Sequence, residues 1–392
     1  MVQPFTELEL AFMREKAQAD IPGLLLRGKW LEREKYLLEQ VSRRQRVARK
    51  LPLCVSNEQF QWPPTLHLEQ SSSEKTAQFK ANLIQGGRLI DLSAGLGIDA
   101  LYMAPRVERI DLVEPNEALS AWSAYNLSNV MGIKHAIFHG GKTAETFLED
   151  DKANADWIYV DPSRRGIGGQ KVFKLDECSP NITALLPRLL AKAPRILVKL
   201  SPMADVRQLQ RELPCIHTVW ALYTDGECKE LLLMLTAGEH ELTMIAVDLD
   251  NGISVSESAQ NVSTFNMPYH LPMRFIYEPN AAIHKLALYR GVAKQYGVEK
   301  LHPDSHLFTS DDYIPDFPGR TFECISICSL DRTAIKEAIP DNKAHISVRN
   351  FPLTVAQIRT KSKLADGGSA YVFATTLIDQ RKVLLICKKT TN

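Results

Sequence analysis

Between Arg88 and Ala100 the chain reads Arg-Leu-Ile-Asp-Leu-Ser-Ala-Gly-Leu-Gly-Ile-Asp-Ala, an order of residue types that few folds accommodate. Leu89–Leu92 is an apolar run of strand length, too short for a helix. It ends at Ser93-Ala-Gly95-Leu-Gly97, where two glycines permit positive φ and let the backbone come close to a ligand. Ile98–Ala104 then reads as the first turns of a helix. Strand, glycine bend and helix start form a cradle at the carboxyl end of a strand, where open α/β sheets bind ligands. A second short strand, Ile110–Val113, ends in Glu114, 23 residues after Asp91. An acid at that offset is where a doubly wound fold holds the two hydroxyls of a ribose. The third glycine of the dinucleotide fingerprint is absent, and Asp99 would face a pyrophosphate with like charge. A nucleoside ligand without phosphates is therefore expected.

From Gly87 to Thr236 strand and helix patterns alternate, which predicts a doubly wound parallel sheet. Strands are predicted at 89–92, 110–113, 136–138, 157–160 and 195–200, with a hairpin around Asp225-Gly226 after them. The first sixty-odd residues read as helical and separate. Thr6-x-x-Glu9 is a capping box for one helix, and a second is predicted from Leu31 to Lys50. Its end carries Arg43, Arg44, Arg46, Arg49 and Lys50, cations that suit a helix C-terminus and equally an RNA phosphate. Pro52 and Trp62-Pro-Pro64 predict an extended linker, and Ser71-x-x-Glu74 a capping box for a helix reaching Leu83.

Composition excludes several classes. The 392 residues are too many for one average core, and 47 Lys+Arg against 46 Asp+Glu leave no global field. The absence of a membrane-length apolar run or a signal-type start predicts a cytoplasmic protein. Seven cysteines without a C-x-x-C pair and scattered histidines predict neither a disulfide framework nor a metal.

The strand Trp157–Val160 ends in Asp161-Pro-Ser-Arg-Arg165, which neighbours the glycine bend in such a sheet. Asp91-x-x-x-Gly95-x-Gly97-x-Asp99, then Glu114, then Asp161-Pro-Ser-Arg together resemble the class I S-adenosylmethionine (SAM)-dependent methyltransferases. The resemblance implies a Rossmann-like sheet with SAM as cofactor, held by Asp91, Ser93, Gly95, Gly97, Asp99, Glu114 and Pro115. Asp161-Pro-Ser-Arg is similar to the motif that amino- and nucleic-acid methyltransferases write as Asp/Asn-Pro-Pro-aromatic, whose first residue accepts a hydrogen bond from an exocyclic amine. Carried onto this chain, Asp161 is the catalytic residue, and Pro162, Ser163, Arg164 and Arg165 contact substrate. Ser163 replaces the second proline and Arg164 the stacking aromatic, although an arginine plane also stacks on a base or pairs with a phosphate. Lys199, inside the apolar strand Ile196–Leu200, is expected to leave the strand toward the cleft. There it meets either a substrate phosphate or Asp161. No cysteine lies between Asp161 and Cys178, which favours transfer to nitrogen over a covalent route to carbon.

Beyond Gly238 a hairpin around Asp250-Asn-Gly252, a helix from Glu278 to Tyr296 and a strand at 306–309 predict a ferredoxin-like module. From Lys343 onward nine basic residues stand against two acidic ones, Asp366 and Asp379. That excess points to a polyanion, with a solvated basic face as the alternative. Arg349-Asn-Phe-Pro-Leu353, Lys361–Lys363, Asp366-Gly-Gly-Ser-Ala-Tyr371 and Ala374-Thr-Thr-Leu377 resemble the THUMP-like domain of a bacterial family of candidate RNA methyltransferases. THUMP domains proper are RNA-binding modules of tRNA-modifying enzymes. The resemblance covers nearly the whole chain. It implies an N-terminal helical domain (1–63), a methyltransferase domain (64–237), a ferredoxin-like module (238–318) and a THUMP-like domain (319–392). The function it implies is methyl transfer from SAM to a base nitrogen of RNA, tRNA above all. The alternatives are a SAM-binding RNA-interaction protein without catalysis, and a protein or small-molecule methyltransferase.

Overall fold

A computed structural model describes residues 2–150, 152–163, 175–238, 240–258 and 264–390; Arg164 and Arg165 lie outside them. The chain divides into two compact units, Met1–Ile216 with Leu233–Glu239, and His217–Leu232 with His240–Asn392.

The first unit opens with helices α1 (Glu7–Glu15), α2 (Ile21–Arg27) and α3 (Glu32–Val47). The Thr6–Glu9 capping box forms in both directions, with the Thr6 N–H donating to Glu9 at 2.8 Å. Leu10, Met13, Ile21, Leu37, Leu38 and Val41 close a core among these helices. The expected linker is core instead. Pro52 starts α4 (Pro52–Ser56), where a missing N–H has no consequence. Phe60 and Trp62, ring centroids 4.6 Å apart, are buried with Leu96, Ile98 and Leu101 of the glycine bend and its helix. Gln40 clamps Trp62 from both sides, donating to its carbonyl at 2.9 Å and accepting from its N–H at 2.7 Å. After α5 (Thr65–Gln70), Ser73 rather than Ser71 caps α6 (Glu74–Leu83), because Ser71 ends α5 and Ser72 is taken up elsewhere.

The sheet of this unit follows: β1 (Gly86–Asp91), α7 (Ile98–Met103), β2 (Val107–Glu114), α8 (Glu117–Ala124), β3 (Ala136–Gly140), α9 (Ala144–Asp150), β4 (Trp157–Val160), α10 (Ile182–Lys192) and β5 (Arg195–Leu200). These strands are parallel in the order β3-β2-β1-β4-β5. β1 and β4 are therefore neighbours, and every residue of β4 is buried, as expected for a parallel strand covered on both faces. Across the sheet, Asp111 gathers Arg88 (2.9 Å), Arg109 (2.8 Å) and His139 (2.9 Å) around a carboxylate with no exposure. Burial works against that charge, yet the hydrogen bonds from Arg109, Arg88 and His139 outweigh it and hold the pKa at about 2.

After α11 (Val206–Glu212), β6 (Ile216–Thr224) and β7 (Glu227–Leu235) form the expected hairpin. Asp225 (φ 52°) and Gly226 (φ 82°) supply the two positive φ angles of a type I′ turn. In the second unit β8 (Thr243–Asp248) runs parallel to β6, and β9 (Ile253–Ser258) antiparallel to β8. Next comes β10 (Phe275–Pro279), which carries Glu278 and Pro279 at its end; Asn280 then caps α12 (Ala281–Leu286). The helix predicted from Glu278 is thus a strand end followed by two short helices. Ala287, at φ 54°, separates α12 from α13 (Tyr289–Tyr296). The remaining elements are β11 (Glu299–Lys300), β12 (Phe308–Ser310), β13 (Gly319–Cys328), α14 (Arg332–Ala338), β14 (Lys343–Arg349), α15 (Val355–Ser362), β15 (Ala365–Thr376) and β16 (Lys382–Lys389). They build a seven-stranded sheet of order β11-β12-β10-β13-β16-β15-β14. The fold is thus α/β with a Rossmann-like parallel sheet, N-terminal helices and C-terminal α+β modules. Among the described residues no helix is long and apolar enough to cross a membrane.

Replacing Asp111 by Ala strands Arg88 without its acid and is expected to cost about 3–5 kcal/mol, read from urea unfolding at pH 7. The depressed pKa makes the native contribution present above about pH 4 and lost as pH falls toward 2. An unchanged urea midpoint in Asp111→Ala would contradict the assignment.

Candidate functional site

The bend after β1 is pinned from both sides. The Leu92 N–H donates to the Tyr159 carbonyl on β4, and the Ala94 N–H to the Val113 carbonyl on β2, each at 3.0 Å. Gly97 sits at φ 78° and caps α7; a Cβ there would lie 2.5 Å from Ser123 Oγ and 2.8 Å from Leu127 Cδ1. Gly95, at φ 55°, is different, since a Cβ would meet nothing closer than the Ser93 carbonyl oxygen at 3.8 Å. Gly97 is required by packing, whereas Gly95 leaves open space beside the bend.

Three acids converge on this bend, in three different states. Asp91 is 1 % exposed. The Ser93 N–H (2.9 Å) and hydroxyl (3.2 Å) both donate to its Oδ1. Its Oδ2 has no partner among the described residues. Burial, with the nearby charges of Asp99 and Asp161, pushes its pKa up to about 8 against the Ser93 hydrogen bonds. Glu114, at the end of β2, accepts the Gly95 N–H on Oε2 and the Asn116 N–H on Oε1, both at 2.9 Å. Each oxygen keeps a lone pair. Pro115 follows it, exposed, just before Asn116 caps α8. Asp99 is occupied by the protein itself. It accepts from Ser72 Oγ at 2.8 Å and from the Tyr159 hydroxyl at 2.7 Å, and pairs with Lys80, fully buried, at 3.0 Å. Burial opposes its charge, but Lys80, Lys199 and Tyr159 hold its pKa below the usual carboxylate range.

The second corner is built where β4 ends. The Asp161 N–H donates to Ser93 Oγ at 2.6 Å, and Lys199 Nζ lies 2.5 Å from Asp161 Oδ2. The lysine noted inside β5 therefore meets Asp161. Pro162 is buried, and Ser163 is exposed. Two main-chain hydrogen bonds, 2.7 and 3.1 Å, tie Ser163 to Ser179. Sequence reasoning passed over Lys80 and Tyr159. Tyr159 stands two residues before Asp161, on the same face of the strand, and that period was its signal.

The basic stretches separate into committed and uncommitted cations. On α3, Arg43 and Arg44 donate to the carbonyls of Trp62 and Val55; Lys50, beyond its end, donates to Leu68. Toward the C-terminus Arg349 pairs with Glu278 (2.5 Å), Arg381 with Asp379 (2.6 Å), and Arg359 with Asp366.

A parallel sheet with a glycine bend after β1, an acid ending β2 and an Asp-Pro corner after β4 is the arrangement that the resemblance to Rossmann-like methyltransferases implies. Residues 275–318 match a ferredoxin-like domain and residues 319–389 a THUMP-like domain. The chain is similar to a candidate methyltransferase from Porphyromonas gingivalis W83, whose crystal structure matches at 30% identity and TM-score 0.83, over 99% of this chain and 100% of that one. It belongs to that protein's family. An rRNA methylase from Streptococcus thermophilus matches at 12% identity and TM-score 0.31, over 42% of this chain and 95% of its own. No curated protein matches the chain.

Because the Asp91 pKa is raised, the folded protein holds a proton that the unfolded chain releases near pH 4, so stability falls as pH rises from about 4 to 8. Asp91→Asn is expected to remove this slope and to raise the Tm of the ligand-free protein at pH 8, by about 2–4 °C for each kcal/mol regained. Thermal unfolding across that range checks it, and parallel curves for the two proteins would refute it.

Proposed function

We propose that the protein is a cytoplasmic SAM-dependent methyltransferase that acts on a base nitrogen of RNA, with tRNA as the first RNA to test. The observation that carries this is Asp91, a buried carboxylate with one unpartnered oxygen next to a bend whose Gly95 leaves open space. Such a group suits a ligand that brings its own cation, and the ammonium of a methionine moiety is one. Glu114, oriented by two N–H groups, retains acceptors for a pair of ribose hydroxyls. Ser93, Gly95, Gly97 and Pro115 are assigned to the same ligand. Asp99, engaged by Ser72, Lys80 and Tyr159, braces the bend from within.

SAM supplies the electrophilic methyl group, and the chain supplies position. Asp161 accepts a hydrogen bond from the acceptor amine on the oxygen that Lys199 leaves clear, while Lys199 fixes the carboxylate. Ser93 touches both Asp91 and Asp161, so the cofactor mouth and the acceptor corner move as one piece, which in-line transfer requires. Pro162, Ser163, Arg164 and Arg165 are assigned to the substrate. RNA as substrate rests on the THUMP-like match and the basic C-terminal region. Domain boundaries at 63/64, 237/238 and 318/319 complete the proposal. A second reading, a SAM-binding RNA-interaction protein without catalysis, draws on Ser163 and on Lys199 already occupying Asp161.

Gly95→Ala is expected to cost about 1–2 kcal/mol at its positive φ, keep the fold and weaken S-adenosylhomocysteine binding about tenfold or more in calorimetry, by filling the open side of the bend. Gly97→Ala is expected to lose about 1–3 kcal/mol of stability. Undiminished affinity in Gly95→Ala would move the cofactor elsewhere. Asp161→Ala should retain S-adenosylhomocysteine affinity and lose at least about 100-fold of tritiated-methyl transfer to RNA from a deletion strain. Transfer that persists removes Asp161 from the mechanism, and no transfer by the wild type favours the second reading.

A further inference from the structure

We propose that one end of the seven-stranded sheet, where Lys343, Lys361, Lys363, Lys388 and Lys389 gather, is the surface that carries the phosphate backbone of the RNA. The inference rests on the RNA reading above and adds where the RNA lies. The arginines of this region have acids of their own in Glu278, Asp366 and Asp379. These five lysines are exposed and make no side-chain hydrogen bond or ion pair among the described residues.

Topology brings them together. β14 and β15 are parallel, so Lys343 at the start of β14 lies at the end where β15 begins. β16 runs antiparallel to β15 and returns to that end with Lys388 opposite Ala370, followed by Lys389. α15 leads directly into β15; Lys361 lies in its last turn, and Lys363 caps it at φ 64°. Arg381 and Lys382 are at the far end, where Lys382 stands opposite Thr376.

The same end has a glycine loop. Pairing jumps from Lys343↔Ala365 to Ala344↔Ala370, which leaves Asp366–Ser369 out of register. Gly367, at φ 99°, has nothing within 4 Å of the position a Cβ would take, whereas a Cβ on Gly368 would lie 2.8 Å from Lys343 Cβ, 2.9 Å from its carbonyl oxygen and 3.1 Å from Asp341 Oδ2. Open backbone among ammonium groups suits an anionic oxygen. Three acids among the described residues stand beside them: Asp341, whose Oδ1 accepts the Lys343 N–H at 3.3 Å; Glu323, opposite Lys388 and paired with Arg274 at 3.1 Å; and Asp366, paired with Arg359. The α15 macrodipole accounts for Lys361 and Lys363, but it offers nothing to Lys343, Lys388 and Lys389. With Glu323 and Asp366 taken by arginines, Asp341 is left against five lysines, and that positive excess is one a polyanion neutralises. Nucleic acid fits better than a lipid surface. Among the described residues α15, β14, β15 and β16 expose no large apolar side chain for insertion into a bilayer, and the neighbouring β13 exposes two, Ile325 and Ile327, fewer than an inserting face presents.

The test compares three full-length proteins for binding of labelled bulk tRNA between about 50 and 200 mM salt. They are the wild type, a variant with Lys343→Ala, Lys361→Ala, Lys363→Ala, Lys388→Ala and Lys389→Ala, and a control with Arg381→Ala and Lys382→Ala. The five-lysine variant is expected to keep its circular dichroism spectrum and lose about tenfold or more in affinity. Its salt slope should shrink by about 3–5, at 0.7–0.9 for each phosphate contact, while the control binds as the wild type does. Equal binding by the five-lysine variant, or an equal loss in the control, overturns the surface and leaves the RNA reading standing. A wild type that binds no tRNA overturns the RNA reading and this surface with it. Lysine-dependent binding to phosphatidylserine vesicles in place of tRNA overturns the choice of nucleic acid.

Discussion

The hydroxyl of Ser93 joins the two halves of the site. It donates to Asp91 on one side and accepts the Asp161 N–H on the other, at 3.2 and 2.6 Å. β1 and β4 are adjacent because the sheet order reverses between them, and this is what brings residues 93 and 161 within reach. The bend between them is held by main-chain bonds to β2 and β4 and by the Glu114 carboxylate on the Gly95 N–H. Remove any of these and the Asp161 corner loses its fixed distance from the bend.

Three buried aspartates in this unit separate structure from chemistry. Asp111 has three cationic or imidazole partners, and Asp99 has Lys80 with two hydroxyls. Both carboxylates are held ionised by cations within the fold, Asp99 Oδ1 by its ion pair with Lys80. Among the described residues Asp91 has two hydrogen bonds, both from Ser93, and its raised pKa reports burial without a cation to hold it ionised. In the function proposed above, the cation of a bound ligand completes it.

Much of the framework was legible from residue pattern. Arg195–Leu200 is a strand at both of its predicted ends, Thr6 and Glu9 form their capping box, and Asp225-Gly226 turns its hairpin. The misses share a cause, in that local signals were outranked by distant partners. Trp62-Pro-Pro64 has the composition of a linker, yet Trp62 is buried because α3, α4 and the glycine helix meet around it. Ser71 looked like the cap of α6, but three serines in a row could not be ranked until Ser72 was seen on Asp99 and Lys80.

By itself the sequence determined the strand–bend–helix, the acid at the end of β2 and the Asp-Pro corner, because period, glycine placement and residue type act over a few neighbours. Only the tertiary structure decided which charges are free. Arg43, Arg44 and Arg349 read as RNA contacts along the chain and turn out to be bound to carbonyls or an acid. Lys199 is paired with Asp161, and Asp99 is closed off by Lys80 and Tyr159. The availability of a charge depends on what lies within a few ångströms in space, and strand order sets that distance while sequence separation does not.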